Sequence, residues 1–413
     1  MPAARPSEEP RMSAAHPDLP ALWREFSDRV AALGELVTGE GTPASEAQRA
    51  AGFRYLTRFL GAGLRLCIEN DDADTPVFAR MIENQLSWGL DNPDCNYSWA
   101  PVRGDAEYRI SGWRGSAKQL EFQVNTGHFG DGQMPALSGA EGGWKTLSFL
   151  TGDDLESAAD GSFEIALSRE KRPGNWLALG DAARFVLVRQ YFEDWEGETP
   201  GRFAIERVGA AYPPAPLTPE QLRQRFELLF QWLDAGAQCW DKVSRLLLGL
   251  EPNSLIVVEP GGDRPGLHGQ AYGMGPYRCA PDEAVIVEFA APRSCRLWSL
   301  ALSNFWWESL EFGARQSSLN SASARADSDG VVRAVICHRD PGVPNWLDCE
   351  GCEAGTLAVR FLFAEPVPKP TLRTVPLAKL RDALPADTPE LTPEERSAVL
   401  ARRHRALQHR YGY

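Results

Sequence analysis

No stretch of the 413-residue sequence holds about 18 consecutive apolar residues, so no transmembrane helix is expected. The first twenty residues also lack the apolar segment of a signal peptide. Rich in Pro, Ala and Glu, they predict a disordered leader to a cytoplasmic protein. Basic charge is short: 43 Lys and Arg stand against 56 Asp and Glu, a net charge of −13. That balance argues against nucleic acid, whose phosphates demand neutralisation, and against anionic membrane surfaces. There is no Gly-x-Gly-x-x-Gly after a strand, no phosphate loop and no Gly-x-Ser-x-Gly elbow, which argues against nucleotide enzymes and α/β hydrolases. The histidines form no His-x-His pair, the eight cysteines are scattered, and Cys349–Cys352 lacks the second pair a structural zinc needs. Neither a metal nor a cofactor is expected. What is abundant is tryptophan, 13 copies beside 18 Phe and 9 Tyr. Such residues serve either large cores or pockets for flat ligands.

Leu22, Trp23, Phe26, Val30 and Leu33 recur at helical spacing after Asp18 and Pro20. Ser45 followed by Gln48 opens a second helix whose face is Phe53, Leu56, Leu60, Leu64 and Cys67. From Tyr97 the texture changes to short β-rich runs, among them Tyr108–Trp113, Lys118–Val124, Ser162–Ser168 and Phe185–Phe192. A proline linker ends at Pro216, and Thr218-Pro219-Glu220-Gln221 starts a helical region to about Leu250, with a break near Gly236. Strand texture returns at Leu255 and lasts to Phe363. The polar C-terminal helix, capped by Thr392 and Glu395, has a weak apolar stripe and predicts a solvated or loosely docked tail.

The two β-rich segments resemble one another. Asp160-Gly161, a strand, Pro173-Gly174, Asn175-Trp176-Leu177 and Val186–Arg189 recur in order as Asp329-Gly330, a strand, Pro341-Gly342, Asn345-Trp346-Leu347 and Leu357–Arg360. Two copies of one β-sandwich module follow. The predicted fold is mainly β (α+β), with two tandem antiparallel β-sandwich modules, an N-terminal helical segment and a helical linker. Its divisions are 1–95 (leader and N-terminal helices), 96–212 (first module), 213–254 (linker), 255–365 (second module) and 366–413 (Pro-rich tail and C-terminal helix). Features matched in both copies, such as Asn175 and Asn345 or Trp176 and Trp346, read as architectural. Unmatched features read as site candidates.

The runs Asn304–Leu310, Ser318-Leu319-Asn320 and His338–Asp348 resemble bacterial proteins of the domain-of-unknown-function family 1214. The likeness is strongest over about 270–365 and extends to the first module through Asp91–Asp94, Tyr108–Gly112 and Asn175–Leu177. It implies paired jelly-roll-like sandwiches and, from the bacteria that carry such proteins, a context of steroid, terpenoid or aromatic compound catabolism. The chain departs from the family pattern at Ser321-Ala322-Ser323 and at Cys349 and Cys352.

His338 and Asp340, two apart, share one face if their strand continues, and such a pair can act as an oriented base. The alternative is an ordinary β-turn at Asp340-Pro341-Gly342. Trp306-Trp307-Glu308 places two rings on opposite faces of a strand. Glu308 beside indole rings should have a raised pKa suited to acid or base work, and core filling is the alternative. Asn304 and Asn320 are neutral orienting groups. His128, in a glycine-rich loop, and Tyr272, at the entry to the second module, are candidate pocket residues. The expected function is cofactor-independent acid–base catalysis (lyase, isomerase or hydrolase type) on a hydrophobic aromatic or polycyclic small molecule bound between the modules. The alternative is a non-catalytic ligand-binding or scaffold protein. A homo-oligomer is a possible state; nucleic acid and membrane partners are not expected.

Overall fold

A computed structural model describes residues 17–128, 145–259 and 268–412. The leader therefore lies almost wholly outside the described residues, as do residues 129–132 of the His128 loop. The chain is mainly β, and its two tandem sandwiches have one topology. The first has strands β1 (Ala79–Ile82), β2 (Cys95–Pro101), β3 (Tyr108–Trp113), β4 (Gln119–Asn125), β5 (Thr146–Thr151), β6 (Ser162–Ser168), β7 (Trp176–Ala178), β8 (Phe185–Tyr191) and β9 (Arg202–Arg207). The second has β10 (Ile256–Val258), β11 (Gln270–Arg278), β12 (Glu283–Ala290), β13 (Leu297–Ser303), β14 (Ser318–Asn320), β15 (Val331–Cys337), β16 (Trp346–Asp348), β17 (Ala354–Leu362) and β18 (Thr371–Pro376). A five-stranded sheet β1-β2-β8-β4-β5 packs on a four-stranded sheet β7-β6-β3-β9; β10-β11-β17-β13-β14 and β16-β15-β12-β18 repeat that order strand for strand. Pairing is antiparallel except for β6–β7 and β15–β16, one parallel pair per module.

The matched Asn explains the parallel pair. Asn345 Nδ2 donates to the carbonyls of Arg325 and Arg333, and its Oδ1 accepts from Arg325 N–H. Asn175 makes the same three bonds to Glu156 and Glu164. An amide side chain that mimics a peptide group can tie a short strand to its neighbour in this way.

Every residue of β8 is buried, because both of its faces are covered. Val186 and Val188 fill the first sandwich core with Phe122, Ile110 and Ile165. Phe185 and Leu187 point the other way, into a third core made with helices. Those helices are α1 (Leu19–Leu33), capped by Asp18, α2 (Glu35–Thr38), α3 (Glu46–Gly63), capped by Ser45, α4 (Pro219–Gln231), with its Thr218–Gln221 capping box, and α5 (Ala237–Leu248). Gly236 does not break the second helical region: a π-helical turn, Trp232–Gly236, carries α4 into α5, and another, Leu64–Glu69, extends α3. Among the described residues, no helix is long and apolar enough to cross a membrane.

The helical core takes up much of the tryptophan. Trp232 stacks on Phe59 at 4.7 Å, Trp88 meets Trp232 edge-on at 4.8 Å, and Trp240 packs on Trp307 at 5.1 Å. Glycine makes room for this: a Cβ on Gly52 or Gly63 of α3 would come within 2.6 Å of the Trp306 or Trp232 ring.

The C-terminal tail differs from its reading. After the short α6 (Leu380–Ala383), helix α7 (Pro393–Tyr411) is docked across both modules by arginines. Buried Arg396 reaches Asp340, Gln316 and the Val343 carbonyl. Arg403 donates to Phe312 O and Ser318, and Arg410 to Pro93 O in the first module. The weak apolar stripe misleads because guanidinium stacking and hydrogen bonding, with Arg403 4.2 Å over the Trp195 ring, add to a small apolar contact of Leu407 and Tyr411 with Phe312.

Candidate functional site

The structure separates the residues singled out in the sequence. β15 ends at Cys337, so His338 and Asp340 do not share a strand face. His338 Nε2 lies 2.8 Å from Cys279 O, while Asp340 pairs with Arg396 at 2.9 Å and accepts from Gly342 N–H. No hydrogen bond joins the two, and the ladder has already stopped at Cys337.

Trp306 and Trp307 lie in a tight loop rather than a strand. Asn304 Oδ1 accepts from Trp306 N–H at 2.9 Å and Asn304 N–H donates to Glu308 O, so the asparagine builds the turn. Trp307 takes a left-handed φ of 58°. Its carbonyl accepts from Leu90, itself at φ 55°, and both indoles are buried in the helical core, with Trp306 Nε1 on Gln48 O. Glu308 is fully buried against α3, paired with Arg58 at 3.0 Å and Arg54 at 3.3 Å. Burial raises its carboxyl to about 7 against the pull of the two arginines.

Asn320 is committed to bridging the modules: its Nδ2 donates to Asp94 at 2.8 Å and to Glu193 O, and its Oδ1 accepts from Ala322 and Ser323 N–H. His128 is buried, 3.8 Å from Cys67 Sγ and edge-on to Trp99. Burial, reinforced by Arg184, depresses its imidazole to about 3 and keeps it neutral, while burial holds the Cys67 thiol protonated. Among the described residues, no cluster of three or more His, Cys, Asp or Glu groups is placed to hold a metal ion, and the cysteines are unbridged. Surface grooves of about 310 and 220 Å³ contain none of the predicted residues.

Tyr272 alone of the predicted set leads to a different place, the face between the two five-stranded sheets. On β4, Leu120, Phe122 and Val124 enter the first sandwich core, so Gln119, Glu121, Gln123 and Asn125 project from the opposite face, yet all four are buried. The second module covers them. Arg296, just before β13, bonds Gln119 and pairs with Asp153. At one end of this face Cys95, Tyr191, Leu297 and Leu362 close an apolar contact between the modules. At the other end Trp99, Leu187, Met274 and Ala358 join the helical core.

Between these two apolar contacts runs a polar row. In the first module Tyr97, Arg189 and Glu121 are cross-strand neighbours, and in the second Tyr272, Arg360 and Ser299 are. Glu121 is 0% exposed; Gln123 donates to its Oε1, and Oε2 has no hydrogen-bond partner. Burial raises this carboxyl to about 7, against Arg189 and the nearby His268 backbone, which favour the charged form. Arg189 donates to Gln123, and Arg360 donates to Leu90 O at 2.9 Å while its Nη1 has no partner. Gln270 Nε2 and Ser299 Oγ are likewise buried without partners, whereas Tyr97 and Tyr272 are only half-buried. Sequence reasoning assigned the matched arginines to the fold and did not single out Glu121; the only signal was a β4 face polar at every second position.

Tandem copies of one nine-stranded sandwich, wedged by helices and enclosing a polar row where the copies meet, define the class of protein. The chain belongs to the family described as Protein of unknown function (DUF1214), whose model matches residues 144–193. That match lies in the first module rather than over 270–365, where the resemblance reads most strongly. The chain is similar to an uncharacterised protein from Burkholderia cenocepacia, known from a crystal structure, at 32% identity and a TM-score of 0.79 over 86% of this chain and 97% of that one. The VPA0106 protein from Vibrio parahaemolyticus matches at 11% identity and a TM-score of 0.41, over 84% of this chain and 100% of that one. No curated protein matches.

Proposed function

We propose that the polar row between the five-stranded sheets binds a small aromatic or polycyclic molecule, and that Glu121 transfers a proton on it. The observation that carries this reading is Glu121 itself. It is a fully buried carboxyl with one oxygen uncommitted and an affinity for protons near neutrality, the condition for general acid–base work. The half-buried rings of Tyr97 and Tyr272 supply flat apolar walls with hydroxyl tips. Glu308 has a similar proton affinity but two arginines already engage it, and it serves to anchor α3. His338 and Asp340 lie apart from this row and take no part in the proposed reaction.

The experiment is proton exchange on an enolisable ring ketone. Tetralone and progesterone are incubated with the full chain in deuterium oxide, and loss of their α-proton signals is followed by magnetic resonance. Saturable exchange above the buffer rate, removed by Glu121→Gln and kept in His338→Ala, is expected. Exchange at the wild-type rate in Glu121→Gln would remove Glu121 as the base. Saturable binding with unchanged ligand would instead favour a non-catalytic binding protein, a reading supported by the large share of tryptophan spent on cores.

A further inference from the structure

The repeat gives the polar row a symmetry with a chemical consequence. Strand order makes β2 the counterpart of β11, β8 of β17 and β4 of β13. Ladder register then pairs Tyr97 with Arg189 in one module and Tyr272 with Arg360 in the other, so a Tyr–Arg pair stands at equivalent positions of both copies. The pairs face each other: Arg360 and Arg189 both act electrostatically on the Tyr97 hydroxyl, and Tyr272 acts on Arg189. Symmetry breaks on the third strand, where Glu121 in the first module is replaced by Ser299 in the second.

Arg189 is 7% exposed and Arg360 5%, and neither forms an ion pair within 4.0 Å among the described residues. A buried guanidinium is costly unless a negative group meets it. The one carboxyl in the row is Glu121, which burial biases towards its neutral form, so the two arginines together outnumber the negative charge beside them. The remaining donor of Arg360 is directed by the scaffold. Leu90, held at φ 55° by its bond to Trp307 O, turns its carbonyl to one arm of Arg360 and leaves Nη1 uncommitted. Two planar guanidinium forks match a carboxylate better than any neutral group.

We infer that the row recognises the carboxylate of an aromatic or polycyclic acid, held between Arg189 and Arg360 of the two modules with Tyr97 and Tyr272 flanking it, so that Glu121 stands beside the substituted ring. This rests on the proposed function and specifies its substrate class. The two copies share the anion, and the single asymmetric position carries the proton.

The test is calorimetric titration of the full chain with cinnamate and with its neutral isostere cinnamamide. Cinnamate is expected to bind saturably and cinnamamide at least about tenfold more weakly, the size of one charge-assisted hydrogen bond. Arg189→Gln and Arg360→Gln are each expected to weaken cinnamate by about tenfold or more and cinnamamide by less. Arg360→Lys, which keeps the charge and loses the fork, is expected to fall between wild type and Arg360→Gln. Thermal melts identify any variant that fails to fold, and the ligand pair on the wild-type chain then decides alone. Equal binding of acid and amide would overturn the anion assignment while leaving the proposed function standing. If cinnamate, cinnamamide and tetralone all fail to bind, both fall.

Discussion

At the scale of single residues, the same chemical group does different work according to what surrounds it. Glu121 and Glu308 are both buried, both titrate near 7 and both keep one oxygen without a hydrogen-bond partner, yet the other oxygen of Glu308 takes two arginines whereas that of Glu121 takes only the Gln123 amide. If Glu121 is the base, only its ionised form accepts a proton. Exchange on tetralone should therefore be low at mildly acidic pH, rise through about 7 and level off above it. Glu121→Gln should leave a flat profile. A wild-type rate that falls with rising pH would mean the group acts as an acid. The sequence disclosed little of this. Gln119, Glu121, Gln123 and Asn125 alternate with Leu120, Phe122 and Val124 in the pattern of a strand with one wet face. Only the second module, far along the chain, makes that face dry, and no local pattern reports a long-range cover. Arg189 and Arg360 were visible as members of the repeat. Their matching suggests architecture, and what it overlooks is that equivalent residues at an interface between copies converge on each other.

At the scale of elements, caps and turns were legible and docking was not. Ser45, Thr218 and Thr392 cap the helices that the sequence starts at them, and Asp18 caps α1, because a cap is a local hydrogen bond. The Trp306–Trp307 strand was misread because Asn304 closes a turn through its own side chain, and the loop's left-handed Trp307 depends on Leu90 from elsewhere. The matched asparagines provide a measurable comparison. Asn345 and Asn175 make the same bonds, but Asn345 is buried and Asn175 half-exposed. Replacing Asn345 by Ala strands an N–H and two carbonyls away from water and should cost about 2 kcal/mol, whereas water can replace Asn175 and the loss there should be about 1 kcal/mol. Denaturant unfolding of the two variants compares these costs. A larger loss at Asn175 would show that something other than burial sets the value of this hook.

At the scale of the whole molecule, charges inside the chain set how its stability responds to pH. Glu121 and Glu308 have folded pKa values raised to about 7, so the folded state holds protons that the unfolded chain releases near 4.5. Their contribution to stability is largest at acidic pH and is lost as pH rises from about 4.5 to about 7. His128 acts in the other direction. Depressed to about 3 from 6.5, it is neutral in the fold while the unfolded chain takes up a proton below about 6.5, so it costs stability as pH falls. Carboxylates held low by partners, such as Glu288 between Arg373 and Arg333, act only below their unfolded values near 4.5. Two raised glutamates against one depressed histidine leave a net loss of about 3 kcal/mol between about pH 5 and about pH 8. Denaturation at a series of pH values should thus show a chain that is more stable at mildly acidic pH than at mildly alkaline pH. In Glu121→Gln/Glu308→Gln the loss should shrink, because His128 then opposes only the remaining carboxyls raised by burial, Asp71, Asp91, Asp94 and Glu198. A double variant that kept the wild-type slope would place the responsible protons elsewhere. A bound carboxylate adds a further term: by neutralising Arg189 and Arg360 it should raise the proton affinity of Glu121. The titration midpoint of Glu121, followed by its carboxyl infrared band, should therefore move to higher pH when cinnamate occupies the row, and should not respond to cinnamate in Arg189→Gln/Arg360→Gln.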